Sequence, residues 1–272
     1  MYSLLYITNL RCNFLKNGVY FVKKEGKAMK RKCWCGSQLD YHDCHEAFDK
    51  KLKQYKKHGY LIPNHKMIKN EKQIEAIKRA AVVNNGLLDY IEEHIQIGMT
   101  TQDIDDMAVA YTSSHGGYSA DLNYEGYPKS ICTSVNDEVC HGIPGDYVLQ
   151  DGDIINVDAT TGVNGYYADA SRMFMLGHVS EEAQRLVKVT KECLEEGMKA
   201  VKPWESTIAD IGTAIEKHAH ANGYSVVEEF CGHGIGKAMH EDPYVYHYTP
   251  KEKTVLIVPG MVFTIEPMIN QG

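Results

Sequence analysis

Residues 153–175 read DIINVDATTGVNGYYADASRMFM, and this stretch decides the fold of the body around it. Residues 162–165, Gly-Val-Asn-Gly, are a strong turn signal, because asparagine and glycine tolerate the left-handed backbone of tight turns. The residues on both sides have strand character, so the stretch predicts a β-hairpin. If the hairpin is symmetric about the middle of this turn, Asp158 and Asp169 lie directly opposite each other on one face.

Two carboxylates in that arrangement need a partner. Like charges directly across a strand pair repel each other, so a positive group is expected between Asp158 and Asp169. A divalent cation with oxygen ligands is the simplest candidate. Taken alone, the two aspartates could instead be capping groups of the turn around Asn164 and Gly165.

The composition indicates a globular protein with one large domain and a small appendage. The chain has 272 residues, of which 43% are hydrophobic and 24% charged, as is ordinary for soluble proteins. It has no apolar run long enough to cross a bilayer, no signal-peptide pattern, and eight cysteines without a disulfide framework. We therefore expect a cytoplasmic protein without a membrane partner.

The charge is distributed unevenly along the chain. Residues 1–66 carry 14 Lys or Arg against 5 Asp or Glu, a net charge of +9, whereas residues 67–272 carry a net charge of −16. The basic part could simply be a solvated surface. It could also attract a nucleic acid such as ribosomal RNA; we expect no DNA partner.

Four potential zinc ligands are concentrated in residues 33–45, which read CWCGSQLDYHDCH. Two thiolates one residue apart, followed by a Cys-His pair, suit a tetrahedral zinc ion, and bound metal would replace the core that so short a segment cannot form. The segment resembles the SEC-C zinc-binding motif, although a loop with incidental cysteines is the alternative. The predicted ligands are Cys33, Cys35, Cys44 and His45.

We predict four segments. Residues 1–28 lack periodicity and precede a more plausible start at Met29, so we expect a disordered or spurious leader. Residues 29–50 form the zinc motif, residues 51–66 a basic linker, and residues 67–272 the main body.

The main body shows the same order of elements twice. A helix begins near Glu71, where Asn70 and Gln73 form a capping pair, and a second helix follows Thr100 before strands that include the hairpin. Another helix begins after Ser180 and is again followed by a helix and strands. Sequence identity between the two passes is negligible, so this is a repeat of element order only.

Three more residues extend the aspartate pair. His233 lies between glycines in residues 230–236, FCGHGIG, His240 follows seven residues later, and Glu266 ends an apolar strand before Pro267. Each has an ordinary explanation alone, as a turn histidine or a loop carboxylate. Two aspartates, a histidine and a glutamate together form a ligand set for hard divalent cations.

The local motifs resemble those of the type I methionine aminopeptidases. The motifs occur in the same order as in that family: CHGIPG, DGDIINVD, DASRMF, CGHGIGKAMH and FTIEP. The resemblance extends over residues 67–272 and implies the pita-bread fold, in which two pseudo-symmetric α+β halves surround a central antiparallel sheet flanked by helices. It also implies removal of the initiator methionine from nascent polypeptides.

The resemblance implies roles for individual residues. Asp158 would bind one of two divalent ions (Co, Mn or Fe), Asp169 would bridge both, and His233 and Glu266 would complete the other ion's ligands. Glu266 is also the candidate general base. The remaining positions carried over are His141 and His240, which would contact the peptide and stabilise the oxyanion, and Tyr124, Tyr127 and Cys132, which would form the methionine pocket.

The family has one further bridging glutamate beyond the position of Glu266, and the chain ends before it. Because that carboxylate bridges both ions, we expect the domain to be incomplete at its C-terminus and this chain to be poorly active. Two alternatives to methionine removal stay open: a non-catalytic pita-bread binding module and a proline-directed aminopeptidase.

Overall fold

The computed structural model describes residues 4–7 and 31–271. In those residues the helices are α1 (Tyr41–Cys44), α2 (Glu46–Lys57), α3 (Glu71–His94), α4 (Thr101–Ser114), α5 (Glu181–Lys199) and α6 (Ile208–Ala221). The strands are β1 (Leu4–Ile7), β2 (Tyr118–Ser119), β3 (Cys132–Val135), β4 (Ile154–Val163), β5 (Tyr166–Met175), β6 (Ser225–Val226), β7 (Gly232–Gly234), β8 (Glu241–Val245), β9 (Val262–Ile265) and β10 (Ile269–Asn270).

The predicted hairpin is formed by β4 and β5, but its turn differs from the prediction. Asn164 and Gly165 have φ values of 51° and 76°, as a two-residue type I′ turn requires, and Val163 pairs with Tyr166. The centre of the hairpin therefore lies one residue later than the sequence suggested.

This turn moves the two aspartates out of direct opposition. Asp158 pairs with Ser171, and Asp169 pairs with Thr160. The prediction that the carboxylates lie directly opposite each other is therefore wrong: they are diagonal neighbours. They still share one face, because Asp158 and Thr160 are two residues apart on β4 and side chains alternate along a strand.

In the first half, α3 and α4 pack against the sheet formed by β2, β3, β4 and β5. The helices begin as predicted: Asn70 and Gln73 form a capping box on α3, and Thr100 and Asp103 form another on α4. Apolar residues from both helices and from the hairpin form one core, which includes Leu87, Leu88, Ile91, Ile104, Ile155, Val157 and Phe174.

The second half repeats this arrangement. Helices α5 and α6 pack on each other, and their apolar faces join β8, β9 and β10 in a second core. The sheet of this half has the strand order β1-β9-β7-β8, and β10 pairs with β6. The predicted repeat of element order is therefore present, which places β5, β7 and β9 from the two halves next to the same cavity.

The zinc motif and α2 pack on the second half of the body. Leu52 of α2 is part of the second core, the Tyr55 hydroxyl donates to the carbonyl of Trp204 at 2.7 Å, and the Phe48 ring meets the Trp204 ring edge-on. Asp49 accepts hydrogen bonds from the Trp34 indole and the Tyr41 hydroxyl. The boundaries proposed at residues 29–50, 51–66 and 67–272 stay predictions.

Residues 1–28 were predicted to be a disordered or spurious leader. Within them, Leu4–Ile7 instead form β1, which pairs antiparallel with β9. The other residues of that segment lie outside the described residues. None of the helices in the described part of the chain is both long enough and apolar enough to cross a membrane.

Candidate metal centre

A cavity of about 1020 Å³ opens between the two halves of the body. Its lining includes every residue predicted for the active centre: Tyr124, Tyr127, Cys132, His141, Asp158, Asp169, His233, His240 and Glu266. The structure therefore brings together side chains that are up to 142 residues apart in the sequence.

Three of these side chains converge closely. One ligand atom from each of Asp169, His233 and Glu266 lies within 4.8 Å of the others. Nε2 of His233 is 3.4 Å from Oδ2 of Asp169 and 3.7 Å from Oε1 of Glu266. These separations suit atoms that share one ion, because ligands about 2.0–2.2 Å from a metal lie roughly 3–4 Å apart.

The backbone sets the direction of the His233 ring. Nδ1 of His233 donates to the carbonyl of Gly234 at 3.0 Å, so Nε2 faces the carboxylates in the cavity. The flanking glycines are required here, since a Cβ on Gly232 or Gly234 would come within 2.6 Å of Thr264 O or 2.1 Å of Asp242 O.

One carboxylate oxygen of the centre lacks a hydrogen-bond partner. Oδ1 of Asp169 is buried and has no hydrogen-bond partner, and a buried polar atom of that kind is costly unless something else binds it. Asp158 lies in the same cavity but outside the group of three. An ion between these residues would satisfy the orphaned oxygen, so the donor set fits a divalent cation.

Electrostatics supports the same conclusion. Burial, and then the charges of Asp169 and Glu266, raise the pKa of Asp158 well above its usual value. Burial and Asp169 likewise raise the pKa of Glu266 to about 7. Burial acts to lower the pKa of His233, but the carboxylates of Asp169 and Glu266 outweigh it and raise the pKa to about 9. The raised pKa values reflect acidic groups crowded together in a buried site, where a bound cation would favour their charged forms.

His240 stands beside His233. The two rings meet edge-on with their centroids 4.3 Å apart, and the Tyr124 hydroxyl lies 2.8 Å from Nδ1 of His240. Burial, followed by the neighbouring His233, lowers the pKa of His240. The imidazole is therefore held neutral and oriented by Tyr124.

His141 lies at the rim of the cavity with its backbone in the left-handed region, at φ 56°. Its ring meets Phe230 edge-on at 5.3 Å. The next residue, Gly142, is packed so closely on β3 that a Cβ would come within 2.2 Å of Thr133 O. The strained loop therefore presents His141 to the cavity from a rigid base.

Two of the predicted pocket residues have structural duties as well. The Tyr127 hydroxyl lies 3.0 Å from the carbonyl of Ile131 and 3.1 Å from that of Gly142, so it holds the loop that carries His141. Cys132 is buried on β3 opposite Asp158. Both line the cavity, but the Tyr127 hydroxyl is already engaged with backbone.

Sequence reasoning missed two residues of the centre. Asp121 lines the cavity, its Oδ2 accepts the Thr160 N–H at 2.9 Å, and burial raises its pKa to about 8. His247 is fully buried, and its Nε2 accepts the Glu266 N–H at 3.1 Å. No spacing rule marks Asp121, whereas His247 lies among the residues that follow the predicted histidine motif and could have been considered.

The second predicted metal site is also assembled. One ligand atom from each of Cys33, Cys35, Cys44 and His45 lies within 4.8 Å of the others. Nδ1 of His45 is 3.0 Å from Cys44 Sγ and 3.2 Å from Cys33 Sγ, and Cys35 Sγ is 3.6 Å from Cys44 Sγ. Burial lowers the pKa of His45, which keeps its ring neutral. Three thiols and a neutral imidazole at these distances fit tetrahedral zinc.

Comparison with known proteins agrees with this geometry. Residues 75–272 match the model of metallopeptidase family M24. The chain belongs to this family. Residues 31–47 match the SEC-C motif, so both predicted resemblances are confirmed.

Methionine aminopeptidases are among the similar proteins. Methionine aminopeptidase A of Synechocystis sp. is 51% identical over 204 residues, which cover 75% of this chain and 80% of that protein. The methionine aminopeptidase of Chlamydia pneumoniae is 39% identical over 249 residues, covering 90% of this chain and 85% of that protein. The crystal structure of methionine aminopeptidase from Rickettsia prowazekii matches with a TM-score of 0.73 at 40% identity, covering 75% of this chain and 82% of that one.

These matches confirm the predicted pita-bread fold and the assignment of the chain to the metal-dependent hydrolases. The M24 match covers residues 75–272, the body that carries the cavity. The 51% identical relative covers three quarters of the chain. The M24 chain is therefore a metallopeptidase whose candidate centre contains Asp158, Asp169, His233 and Glu266.

Proposed function

We propose that the chain removes the N-terminal initiator methionine from nascent polypeptides by hydrolysing their first peptide bond. The observation that carries the proposal is the convergence of Asp169, His233 and Glu266 in a cavity that also contains His240. The similarity to proteins named methionine aminopeptidase, at 39–51% identity, supports the choice of substrate.

We assign two divalent ions, Co, Mn or Fe, to the centre. Asp158 would hold one ion, Asp169 would bridge both, and His233 and Glu266 would hold the other. When bound, such ions polarise the carbonyl of the substrate and make water acidic enough to react near neutral pH. Only the first residue of a polypeptide has a free α-amine that could bind a metal ion. Recognition of this amine would restrict cleavage to the first peptide bond, as in an exopeptidase.

The chain's own residues supply proton transfer and orientation. Glu266 is the candidate general base, because its carboxylate lies in the cavity beside Nε2 of His233. When the Tyr124 hydroxyl donates to Nδ1 of His240, the ring proton lies on Nε2, from which it can be donated to the developing oxyanion. His141 faces the substrate from the opposite rim.

Methionine would enter the part of the cavity lined by apolar and polarisable groups. Tyr124, Tyr127 and Cys132 line it, and Met239 is an additional buried neighbour. A thioether packs well against aromatic rings and other sulfur atoms, so this wall favours methionine over polar side chains. Asp121 lies in the same cavity and would contribute a carboxyl group to its polar end.

We assign one zinc ion to Cys33, Cys35, Cys44 and His45, and we place the protein in the cytoplasm. The motif belongs to the basic N-terminal region, which carries a net charge of +9 over residues 1–66. Nascent chains emerge at the ribosome, and a basic surface is attracted to RNA phosphates. We therefore propose the ribosome as a partner, which co-sedimentation of the full chain, with and without residues 29–66, would test.

Peptide hydrolysis tests the catalytic proposal. The protein is stripped of metal, supplied with Co²⁺ or Mn²⁺, and offered Met-Ala-Ser and an Xaa-Pro peptide. We expect slow release of methionine from Met-Ala-Ser, its loss in Asp169→Asn, and its retention in the control Asp146→Asn, which changes an exposed aspartate. Preference for the Xaa-Pro peptide would favour a proline-directed aminopeptidase, and metal binding without any hydrolysis would favour a binding module.

A further inference from the structure

A buried ion pair lies next to the active-centre cavity. The Lys69 ammonium contacts Oε2 of Glu241, and Lys69 is only 5% exposed. The ammonium also donates to the Lys66 carbonyl at 3.0 Å. Burying a lysine is expensive even when it is paired, and well-packed apolar residues would often be at least as stable. Such a pair therefore calls for a reason other than stability.

The Glu241 carboxylate holds a loop closed. Its other oxygen, Oε1, accepts the backbone N–H of Lys237 at 2.8 Å and that of Ala238 at 3.0 Å. This loop, residues 236–241, carries Met239 and His240, both of which line the cavity. One carboxylate therefore fixes the loop internally through Oε1 and fixes it to Lys69 through Oε2.

The start of the loop is shaped to admit Lys69. A Cβ on Gly236 would come within 2.8 Å of Lys69 Cε, so a larger residue would displace the lysine side chain. The Gly236 carbonyl accepts the Tyr167 N–H at 2.9 Å, and Tyr167 precedes Asp169 by two residues on β5. The loop of His240 is therefore aligned with the strand that carries a metal ligand.

The residue after Lys69, Asn70, contacts the zinc motif. Asn70 donates from Nδ2 to the carbonyl of Cys35 at 2.5 Å, while Oδ1 of Asn70 accepts the Gln73 N–H and caps α3. The backbone N–H of Lys69 donates to the Gly260 carbonyl at 2.7 Å. Asn70 and Lys69 thus connect a predicted zinc ligand with the loop that carries His240.

A second cavity lies beside the contacts that run from Cys35 through Lys69 to Glu241. It has a volume of about 520 Å³ and lies between the motif and the loop, with Trp34, Cys35, Lys69, Lys237 and Glu241 in its lining. Trp34 stacks on His65 with their ring centroids 3.9 Å apart, which holds the motif side of this cavity in place. The zinc motif and the loop of residues 236–241 therefore line opposite parts of one cavity, beside Lys69 and Glu241.

We infer that Lys69 and Glu241 are positioning residues for His240, and that Asn70 couples the metal-binding state of the Cys33–His45 cluster to the same loop. The inference rests on the proposed function only for the role of His240. At the loop, the Glu241 carboxylate accepts the amides of Lys237 and Ala238, so the state of the loop can be followed by amide exchange whether or not the protein hydrolyses a peptide.

Hydrogen exchange and kinetics of Lys69→Met, Glu241→Gln and the double variant test the positioning role. We expect faster exchange of the Lys237 and Ala238 amides and a fall in kcat of about ten- to a hundred-fold with KM little changed, because misplacing a catalytic group by about 1 Å costs that much. The double variant should be less impaired than the two single effects combined, since neither charge is left unpaired.

The matched control is Lys78→Met. Lys78 forms an exposed ion pair with Glu75 at 2.7 Å on the same helix, so its loss should change neither exchange in residues 236–241 nor kcat. If the double variant folds and matches the wild type in both measurements, the positioning role is refuted. If the wild type releases no methionine, the proposed function fails, and exchange alone still decides whether the pair holds the loop.

Asn70→Asp isolates the link to the motif. Aspartate keeps the oxygen that caps α3 but loses the N–H that bonds to Cys35 O, so the helix should remain intact. We expect Cys44→Ser, which removes a zinc ligand, to accelerate exchange in residues 236–241 in the wild-type background and to add nothing in Asn70→Asp. Equal acceleration in both backgrounds, or none in either while zinc is lost, would overturn the coupling.

Discussion

The two candidate metal sites of this chain are built in opposite ways. The ligands of the zinc motif lie within residues 33–45, and a one-turn helix and two tight bends bring them together. The ligands of the active centre lie on β4, β5, β7 and the end of β9, between Asp158 and Glu266. The first site depends on local chain geometry, whereas the second depends on the register of the hairpin and on the packing of two halves.

This difference predicts that the two sites can be emptied independently. His233→Ala should lose the active-centre metal and more than about a hundred-fold of kcat/KM, because even residues behind the ligands are worth ten- to a hundred-fold. It should keep its zinc. Cys35→Ser should lose zinc and show a lower melting temperature, because metal binding at such a motif is coupled to its folding.

Metal analysis of both variants, together with calorimetry, checks this prediction. The control is Cys193→Ser, which changes a cysteine of α5 outside both ligand clusters and should leave both metal contents as they are. Loss of both metals in either single variant would show that the two sites are not independent.

A smaller loss of activity is expected from a change at His247, which supports the candidate ligand Glu266 from behind. His247 is buried, its Nε2 accepts the Glu266 N–H, and burial lowers its pKa to about 3, so it remains a neutral acceptor. His247→Phe would leave that amide without a partner and tilt Glu266. We expect kcat/KM to fall about ten- to a hundred-fold, with partial recovery in His247→Gln.

Steady-state kinetics measures this effect, and His220→Phe, an exposed histidine of α6, is the control. If His247→Phe folds and keeps full activity, the position of Glu266 does not depend on this hydrogen bond. A loss that His247→Gln does not relieve would indicate that the packing of the ring matters more than its acceptor.

The smallest expected effect is the pH dependence of stability that arises from the Lys69–Glu241 ion pair. Burial acts to raise the pKa of Glu241, but the Lys69 ammonium and the amides of Ala238 and Lys237 outweigh it and lower the pKa below its ordinary value of 4.5. A carboxyl group whose pKa is lowered by folding contributes stability above its unfolded pKa, and this stability is lost as the pH falls through the folded pKa.

Lys69→Met/Glu241→Gln has no such group. The free energy of unfolding of the wild type should therefore approach that of the double variant, or fall below it, as the pH drops below 4.5. Urea unfolding at a series of pH values measures this difference. A difference that stays constant over that range would show that Glu241 does not gain its lowered pKa from folding.

Much of the architecture follows from local patterns. The capping box at Asn70 and the helix starts after Thr100 and Ser180 are as predicted, because caps depend on a few neighbouring residues. The hairpin was predicted, but its register was not, since a shift of the turn by one residue changes every cross-strand pair. For the same reason the aspartates proved to be diagonal neighbours.

The sequence by itself predicted both candidate ligand sets, and it determined the SEC-C motif and the repeated order of helices and strands. Only the tertiary structure decided that Asp158, Asp169, His233 and Glu266 share one cavity, that His247 supports Glu266, and that Lys69 pairs with Glu241. Ligands a few residues apart are constrained by the backbone between them. Residues about a hundred or more apart meet only where packing of the two halves makes their separation favourable.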